Sequence, residues 1–459
     1  MSRALRLAET RSVLHLAWPT IFENLMTTMV SYVDTAMVGS LGALATAAVA
    51  INSSPMWMIN STISAVAVGG TVLVAQAIGA QEPERASDVS RQCLSLSLAF
   101  GLLFCALGVC LGPFIPVWMG AQSDVIPLAM NYIRIVALGF IPHFMGLVMS
   151  AVLRGAGDMR TPMIVNLITN VLNIIGNFLL IFPTRPVSLF GLTFTMWGAG
   201  LGVAGAAAST AFATATSGVL ILLAFLRPKR RMRQLTLKGS YRPRPDILRK
   251  VFKVGLPAAL ERLSISIGQI FYLRLVSGLG TISLAAHHLA VNAESISYMP
   301  ATGFQTAATT LVGQSMGAQE PDKAKRYGNI TFALGTAVMC VAGLVLFLLP
   351  RQLMGIFTQD AAVIDAGASA LRIVAFSEPF FGASIILSGA LRGGGDTRWP
   401  FLISLAAMWG VRLGSAWVFA YGLGWGLNGA WLGMALDLIV RGVWMIVRFE
   451  RGKWKQMRI

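Results

Sequence analysis

Charge is what this sequence has least of: Asp, Glu, Lys and Arg make up 12% of its 459 residues, and only 19 are acids. A soluble domain of that length needs far more polar groups to cover its surface, so a water-soluble globule is excluded. Cysteine is equally sparse. Cys93, Cys105, Cys110 and Cys340 fall in apolar stretches without CxxC or metal-ligand spacing, and read as small core residues. Also lacking are HExxH, GxSxG and a phosphate loop, so no enzyme is expected and no resident metal. No cleavable leader is expected, because basic residues run straight into a long apolar stretch without a small-residue cleavage site. The first apolar segment is therefore expected to stay.

Long apolar runs are plentiful, with 55% of residues hydrophobic. A helix needs roughly 20 mainly apolar residues to cross the hydrocarbon. Twelve such segments are expected, over 13–38, 46–77, 91–112, 125–152, 161–182, 197–226, 251–277, 283–315, 328–349, 363–390, 399–421 and 424–447. The fold class is an all-α polytopic membrane protein. A net charge of +17 raises nucleic acid as a partner, but the bases track topology and no aromatic residues interleave them. Arg227, Lys229, Arg230, Arg231, Arg233, Lys238, Arg242 and Arg244 crowd between segments six and seven, and Arg448, Arg451, Lys453, Lys455 and Arg458 follow segment twelve. Positive-inside logic puts both termini and the central loop in the cytoplasm, with a bacterial inner membrane as the expected location.

The chain repeats itself. VLVAQAIGAQEPERA at 72–86 faces TLVGQSMGAQEPDKA at 310–324, an offset of 238, and LRGAGDMRTP at 153–162 faces LRGGGDTRWP at 391–400 at the same offset. Pro19 pairs with Pro257 and Glu23 with Glu261 in this register. Six segments per half is an even number, so the halves are parallel repeats, with a site expected between or within them near the midplane. The domains are read as 1–226, a basic linker over 227–250, and 251–459. Rocking of one half against the other is the default mechanism by analogy.

An ionisable side chain at membrane depth costs about 2.5–3.5 kcal/mol on insertion scales, so each one is a candidate site residue. In segment one, Glu23, Thr27, Ser31 and Asp34 are spaced so that eleven steps of roughly 100° return to one azimuth. That helix face is polar and acidic. Segment five carries Asn166, Asn170, Asn173 and Asn177 at i, i+4, i+7 and i+11, again one face, and segment six offers Thr210, Thr214 and Ser217. Three polar stripes predict a wet cavity in the first half with Asp34 as its strong acid. The bland reading is hydrogen bonding between helices, worth about 0.6 kcal/mol per contact.

In the second half Asp34 becomes Tyr272 and Asn177 becomes Ser415. The polar stripe there is His287, Glu294, Tyr298 and Gln305 on segment eight, with Glu378 beside Pro379 on segment ten. These are candidates for contacting substrate or carrying protons. His287 and His288 point about 100° apart and resemble no zinc motif. Arg412, Asp437 and Arg441 read equally well as structural ion pairs.

VDTAMVGSLG at 33–42, the paired GAQEP and LRGxGDxR loops, and GLGVAGAA at 200–207 together resemble the multidrug and toxic compound extrusion (MATE) family over nearly the whole chain. The resemblance implies a V-shaped, two-lobe antiporter, expected to act as a monomer in membrane lipid, that expels organic cations and amphiphiles in exchange for protons or sodium. It places Asp34 on the family's coupling-ion aspartate, Asn173 on the asparagine of the segment-five motif, and Thr210 on the segment-six threonine. Asn177 stands where many members have a second aspartate, and Glu261 lies too close to Pro257 to match the glutamate of the sodium-coupled branch. A lone carboxylate suits protons, whereas sodium favours several oxygens with more negative charge. Two rivals are a flippase for a lipid-linked envelope precursor, which calls for a cationic cavity, and a membrane-embedded enzyme.

Overall fold

A computed structural model describes residues 3–189, 192–226 and 235–457. Twelve long helical segments account for most of them. They are α1 (Arg3–Gly39), α2 (Ala43–Gly79), α3 (Pro83–Cys110), α4 (Ile126–Leu138, then Phe140–Gly155 after a 54° bend), α5 (Arg160–Leu180) and α6 (Gly202–Leu226). In the second half follow α7 (Pro245–Ser277), α8 (Thr281–Gly317), α9 (Pro321–Leu348), α10 (Ala361–Ala375, then Glu378–Gly393 after a 57° bend), α11 (Arg398–Gly422) and α12 (Gly426–Glu450). Among the described residues, seven of these segments, and both bent pairs, are long and apolar enough to cross a membrane unaided. The remaining three fall short because of charged and polar side chains along their length, among them Glu23 and Asp34 in α1, Glu261, Arg262 and Arg274 in α7, and His287, His288 and Glu294 in α8.

Local chemistry marks the helix ends in both halves alike. Pro83 and Pro321 open α3 and α9, where a missing N–H costs nothing. Gln81 and Gln319 each take φ 59° in the preceding turn. Asp158 accepts from the backbone and hydroxyl of Thr161 at 3.0 and 2.6 Å, tying the loop to the start of α5. In α11, π-helical turns at Ala407–Arg412 and Val418–Gly422 interrupt the α-helix.

One element departs from the all-helical expectation. β1 (Pro183–Leu189) and β2 (Leu192–Ala199) form an antiparallel hairpin between α5 and α6, pairing Arg185 with Met196 and Thr195 with Pro186. Segment six was expected from residue 197, but 197–199 belong to β2 and the helix starts at Gly202, after Gly200 and Gly202 adopt positive φ.

The chain forms two compact units. One comprises Phe22–Gly70 and Pro83–Val251, the other Met1–Ile21, Thr71–Glu82 and Phe252–Ile459. Their boundary does not follow the duplication boundary, because two segments of the first half pack with the second. The ends of α2 and α8 explain one of them. A Cβ on Gly79 would overlap the Gln314 carbonyl, and one on Gly317 would overlap the Gln76 carbonyl. This reciprocal approach needs glycine on both helices. Gln76 then donates to the Gly393 carbonyl at 3.1 Å. The linker bases Arg227, Lys229, Arg230, Arg231 and Arg233, and terminal Arg458, lie outside the described residues. From residue 235 the linker is pinned to α3: Arg91 donates to the Lys238 carbonyl at 2.6 Å, Gln92 to that of Arg242 at 2.9 Å, and Arg244 pairs with Asp88.

Candidate functional site

The polar face of α1 meets the polar face of α5 in register. Asn166 donates to Glu23 and Asn177 donates to Asp34, and both pairs are separated by 143 residues. Equal separations mean that the two helices run parallel along one shared stripe. The stripe nonetheless divides into two environments eleven residues apart.

At its inner end Glu23 is buried and neutralised, with Arg154 at 2.5 Å and the Asn166 amide on the same oxygen. This arrangement recurs in the other unit. Glu261 pairs with Arg392 at 2.8 Å and accepts from Ser404 at 2.8 Å. Every member sits 238 residues from its counterpart, so Glu23 and Glu261 belong to the duplicated scaffold. Neither lines the cavity described next.

At its outer end Asp34 is half-buried on the wall of a cavity of about 380 Å³. Asn177 donates to its Oδ1 at 2.6 Å. Asn173, with its amide nitrogen turned toward the carboxylate, lies 2.8 and 2.9 Å from the two oxygens. That orientation leaves the Asn173 oxygen 3.4 Å from the Thr210 hydroxyl, while the Ser209 hydroxyl donates to the Asn173 carbonyl at 2.8 Å and fixes α5 against α6. Ser31, Thr46, Ser53 and Tyr132 complete the polar wall. Below them, Met37, Val38, Ala48, Ala129 and Ala206 close an apolar core. Among the described residues, Asp34 is the only carboxylate on this wall. Asn170, between the two clusters, is not part of it, and its Nδ2 lacks a partner among the described residues.

Thr46, Ser53 and Tyr132 are wall residues that the sequence reading did not single out. A single tyrosine in the apolar helix IPLAMNYIRIVAL has no periodic companion to flag it.

The second unit gathers several of its candidates differently. Tyr272 is fully buried, its ring 5.5 Å from that of His287 and 5.8 Å from the Arg412 guanidinium. Arg412 and Arg441 both hold Asp437 at 2.8 Å. Glu294 and Glu378 are both buried, and neither oxygen of Glu378 has a hydrogen-bond partner among the described residues. Tyr272 and Trp431 belong to the apolar core there, together with Ala290, Leu371 and Leu438. Tyr298 meets Phe381 edge to face at 5.3 Å, and Gln305 donates to the Ile385 carbonyl and Ser388 hydroxyl at 2.9 Å. Those last two contacts join helices.

Among the described residues no cluster of His, Cys, Asp or Glu is arranged to hold a metal. What the first site offers instead is one half-buried carboxylate with adjustable amide and hydroxyl neighbours on a cavity wall. Such a group can exchange a proton or a small monovalent cation.

A profile of the family described as MatE matches residues 19–179 and 257–418, two copies that begin 238 residues apart. The chain is 30% identical over 450 residues to a "Probable multidrug resistance protein NorM" of Thermotoga maritima, covering 98% of this chain and 94% of that one. It is 28% identical over 453 residues to the "Uncharacterized transporter YisQ" of Bacillus subtilis, covering 98% and 96%. A solved structure described as the outward-facing conformation of a multidrug resistance MATE family transporter superposes with a TM-score of 0.88 at 22% identity, over 97% of each chain. Another, a transporter from Pyrococcus furiosus described as having a binding pocket of reverse polarity that suggests a different function, gives 0.86 at the same identity and coverage. With a family profile spanning both of its repeats and a near full-length relative at 30% identity, the chain belongs to the MATE family of multi-pass membrane transporters.

Proposed function

We propose that this protein exports organic cations and amphiphilic compounds across a bacterial inner membrane in exchange for protons, with Asp34 as the proton-carrying group and both termini cytoplasmic. The observation that carries the proposal is the Asp34 carboxylate, alone on a polar cavity wall and held by N–H donors from Asn173 and Asn177. The multidrug resistance proteins among its relatives support the substrate class.

The amides give the exchange a mechanical consequence. Ionised Asp34 accepts from both asparagines; protonated Asp34 presents an O–H, so an amide must turn its oxygen inward. That turn alters the α1–α5 contact and can favour one access state over another. A gradient drives export only through such a difference in affinity between states. Cationic substrate is compatible with ionised Asp34 and is released when the proton arrives.

Fold alone does not choose the function, since a structure with a reversed pocket polarity superposes equally well. Local charge supports the export reading: a flippase handling a pyrophosphate-linked lipid needs a cationic cavity, and among the described residues this wall carries an acid and no base. The test is dye or organic-cation movement in everted vesicles under separate proton and sodium gradients, for the wild type and Asp34→Asn. A proton gradient alone should drive wild-type transport and leave the variant at background. Transport driven by sodium alone would reassign the coupling ion, and undiminished coupled transport by Asp34→Asn would remove the site from the mechanism.

A further inference from the structure

Outside both polar clusters, the second unit holds a large groove between α11 and α12, about 1130 Å³ in volume. Its walls are apolar side chains, among them Leu402, Ala406 and Trp409 from α11 and Val443, Trp444 and Val447 from α12. They face outward, with Leu402 at 46% and Trp444 at 43% exposure, so the groove opens on the surface of this unit. One end is different. Trp399, Arg448, Arg451 and Lys453 ring it.

The charges at that end are not equivalent. Arg448 is neutralised by Asp396 at 2.7 Å and lies over the Trp399 ring at 4.8 Å. Arg451 and Lys453 are exposed and have no carboxylate partner among the described residues. Their positions are nonetheless fixed. Gly452 takes φ 68° to turn the chain out of α12. Two residues later Trp454 is fully buried, stacked on Phe449 at 5.1 Å and donating to its carbonyl at 2.9 Å. Lys453 is thereby anchored at the mouth. Beside it a second cavity of about 470 Å³ shares Trp399 and adds Lys253 and Arg398.

An apolar channel with tryptophans on its walls and two unneutralised bases at its interfacial end matches one kind of molecule. Acyl chains fill the first part and a phosphate the second. Basic pockets between helices at the cytoplasmic interface recognise anionic head groups in this way.

We propose that the α11–α12 groove binds one anionic diacyl phospholipid, with its chains along Trp409 and Trp444 and its phosphate between Arg451 and Lys453. Ordinary boundary lipid would not distinguish head groups there; this site does. Because the groove shares no residue with the Asp34 cavity, the proposal stands independently of the coupling ion and the exported substrate.

The experiment uses the full-length protein in bilayers of equimolar phosphatidylglycerol and phosphatidylethanolamine with matched chains, released for native mass spectrometry. Wild type should retain phosphatidylglycerol in preference to phosphatidylethanolamine. The double variant R451Q/K453Q, altered only at exposed side chains, should lose that preference by roughly fivefold per base while still retaining lipid. Trp444→Ala should lower retention of both lipids together. A control double variant, R249Q/K250Q, removes equal charge at the start of α7 and should change nothing. Equal retention of the two lipids by wild type, the same loss in the control, or a second copy of the chain held in place of lipid would each overturn the proposal.

Discussion

Asp34 and Tyr272 occupy corresponding positions on α1 and α7 of the two repeats, yet their surroundings are opposites. Asp34 lies half-buried on a cavity wall and is held by two amides that can turn. Tyr272 is sealed in an apolar core, with its hydroxyl unpartnered among the described residues. About three helical turns away, Glu23 and Glu261 each kept an arginine partner and a polar side-chain donor, Asn166 in one repeat and Ser404 in the other. Duplication therefore preserved the ion pair and released the outer position. The difference teaches which polar residues are architecture: those whose whole set of partners recurs at the repeat offset.

The largest expected effect breaks this comparison at Asp34. Asp34→Asn should abolish coupled transport, whereas Tyr272→Phe, which removes a hydroxyl with no partner, should leave it intact. Vesicle transport assays decide both, and loss of coupling in Tyr272→Phe would mean that the second unit also carries the exchange.

Stability comes next. Glu261→Gln leaves Arg392 charged and buried without its partner, a change that costs about 3–5 kcal/mol when a buried pair is broken. Glu23→Gln should cost less, because the Arg154 side chain is 24% exposed against 9% for Arg392 and water can take over its solvation. Thermal unfolding in detergent should rank Glu261→Gln well below Glu23→Gln, which in turn falls below wild type. Replacing both partners with apolar residues, as in Glu261→Met with Arg392→Leu, should recover most of the loss.

A smaller effect is expected where α2 meets α8. Gly317→Ala pushes a methyl into the Gln76 carbonyl and Gly79→Ala into that of Gln314, so each should destabilise by about 1–3 kcal/mol, less any gain in helix propensity. The two variants should melt alike, since the contact is reciprocal. A variant as stable as wild type at either position would show that the helices can separate without cost.

Much of this was legible in the residues. The offset of 238 exposed the repeat, and the eleven-residue spacing of Glu23 and Asp34 placed both on one helix face. What spacing along one helix cannot say is which acid another helix neutralises. Arg154 and Arg392 were visible at the repeat offset, and pairing them with Glu23 and Glu261 was the step that separated scaffold from site. The hairpin was hidden for another reason. VSLFGLTFTMWGAG is apolar and rich in β-branched and aromatic residues, and continuous apolar runs read as either helix or strand. Tyr132 and the α11–α12 groove depend on packing between distant segments, which no local pattern encodes.

The finest discrimination concerns the amides. If Asn173 serves only to join helices, its loss should be felt in stability and not in ion coupling. If it holds Asp34, Asn173→Ala removes one membrane hydrogen bond, worth about 0.6 kcal/mol, and should shift the apparent affinity for the coupling ion about threefold while sparing the melting temperature. The corresponding position of the second repeat is Val411, and the exchange Val411→Asn supplies the missing amide on a repeat that has Tyr272 in place of the carboxylate. No change in coupling is expected there, because an amide without a carboxylate to hold has no charge state to respond to. A coupling shift in Val411→Asn equal to that in Asn173→Ala would mean that the amides act through helix packing, and the asymmetry between the two repeats would have to rest on Asp34 alone.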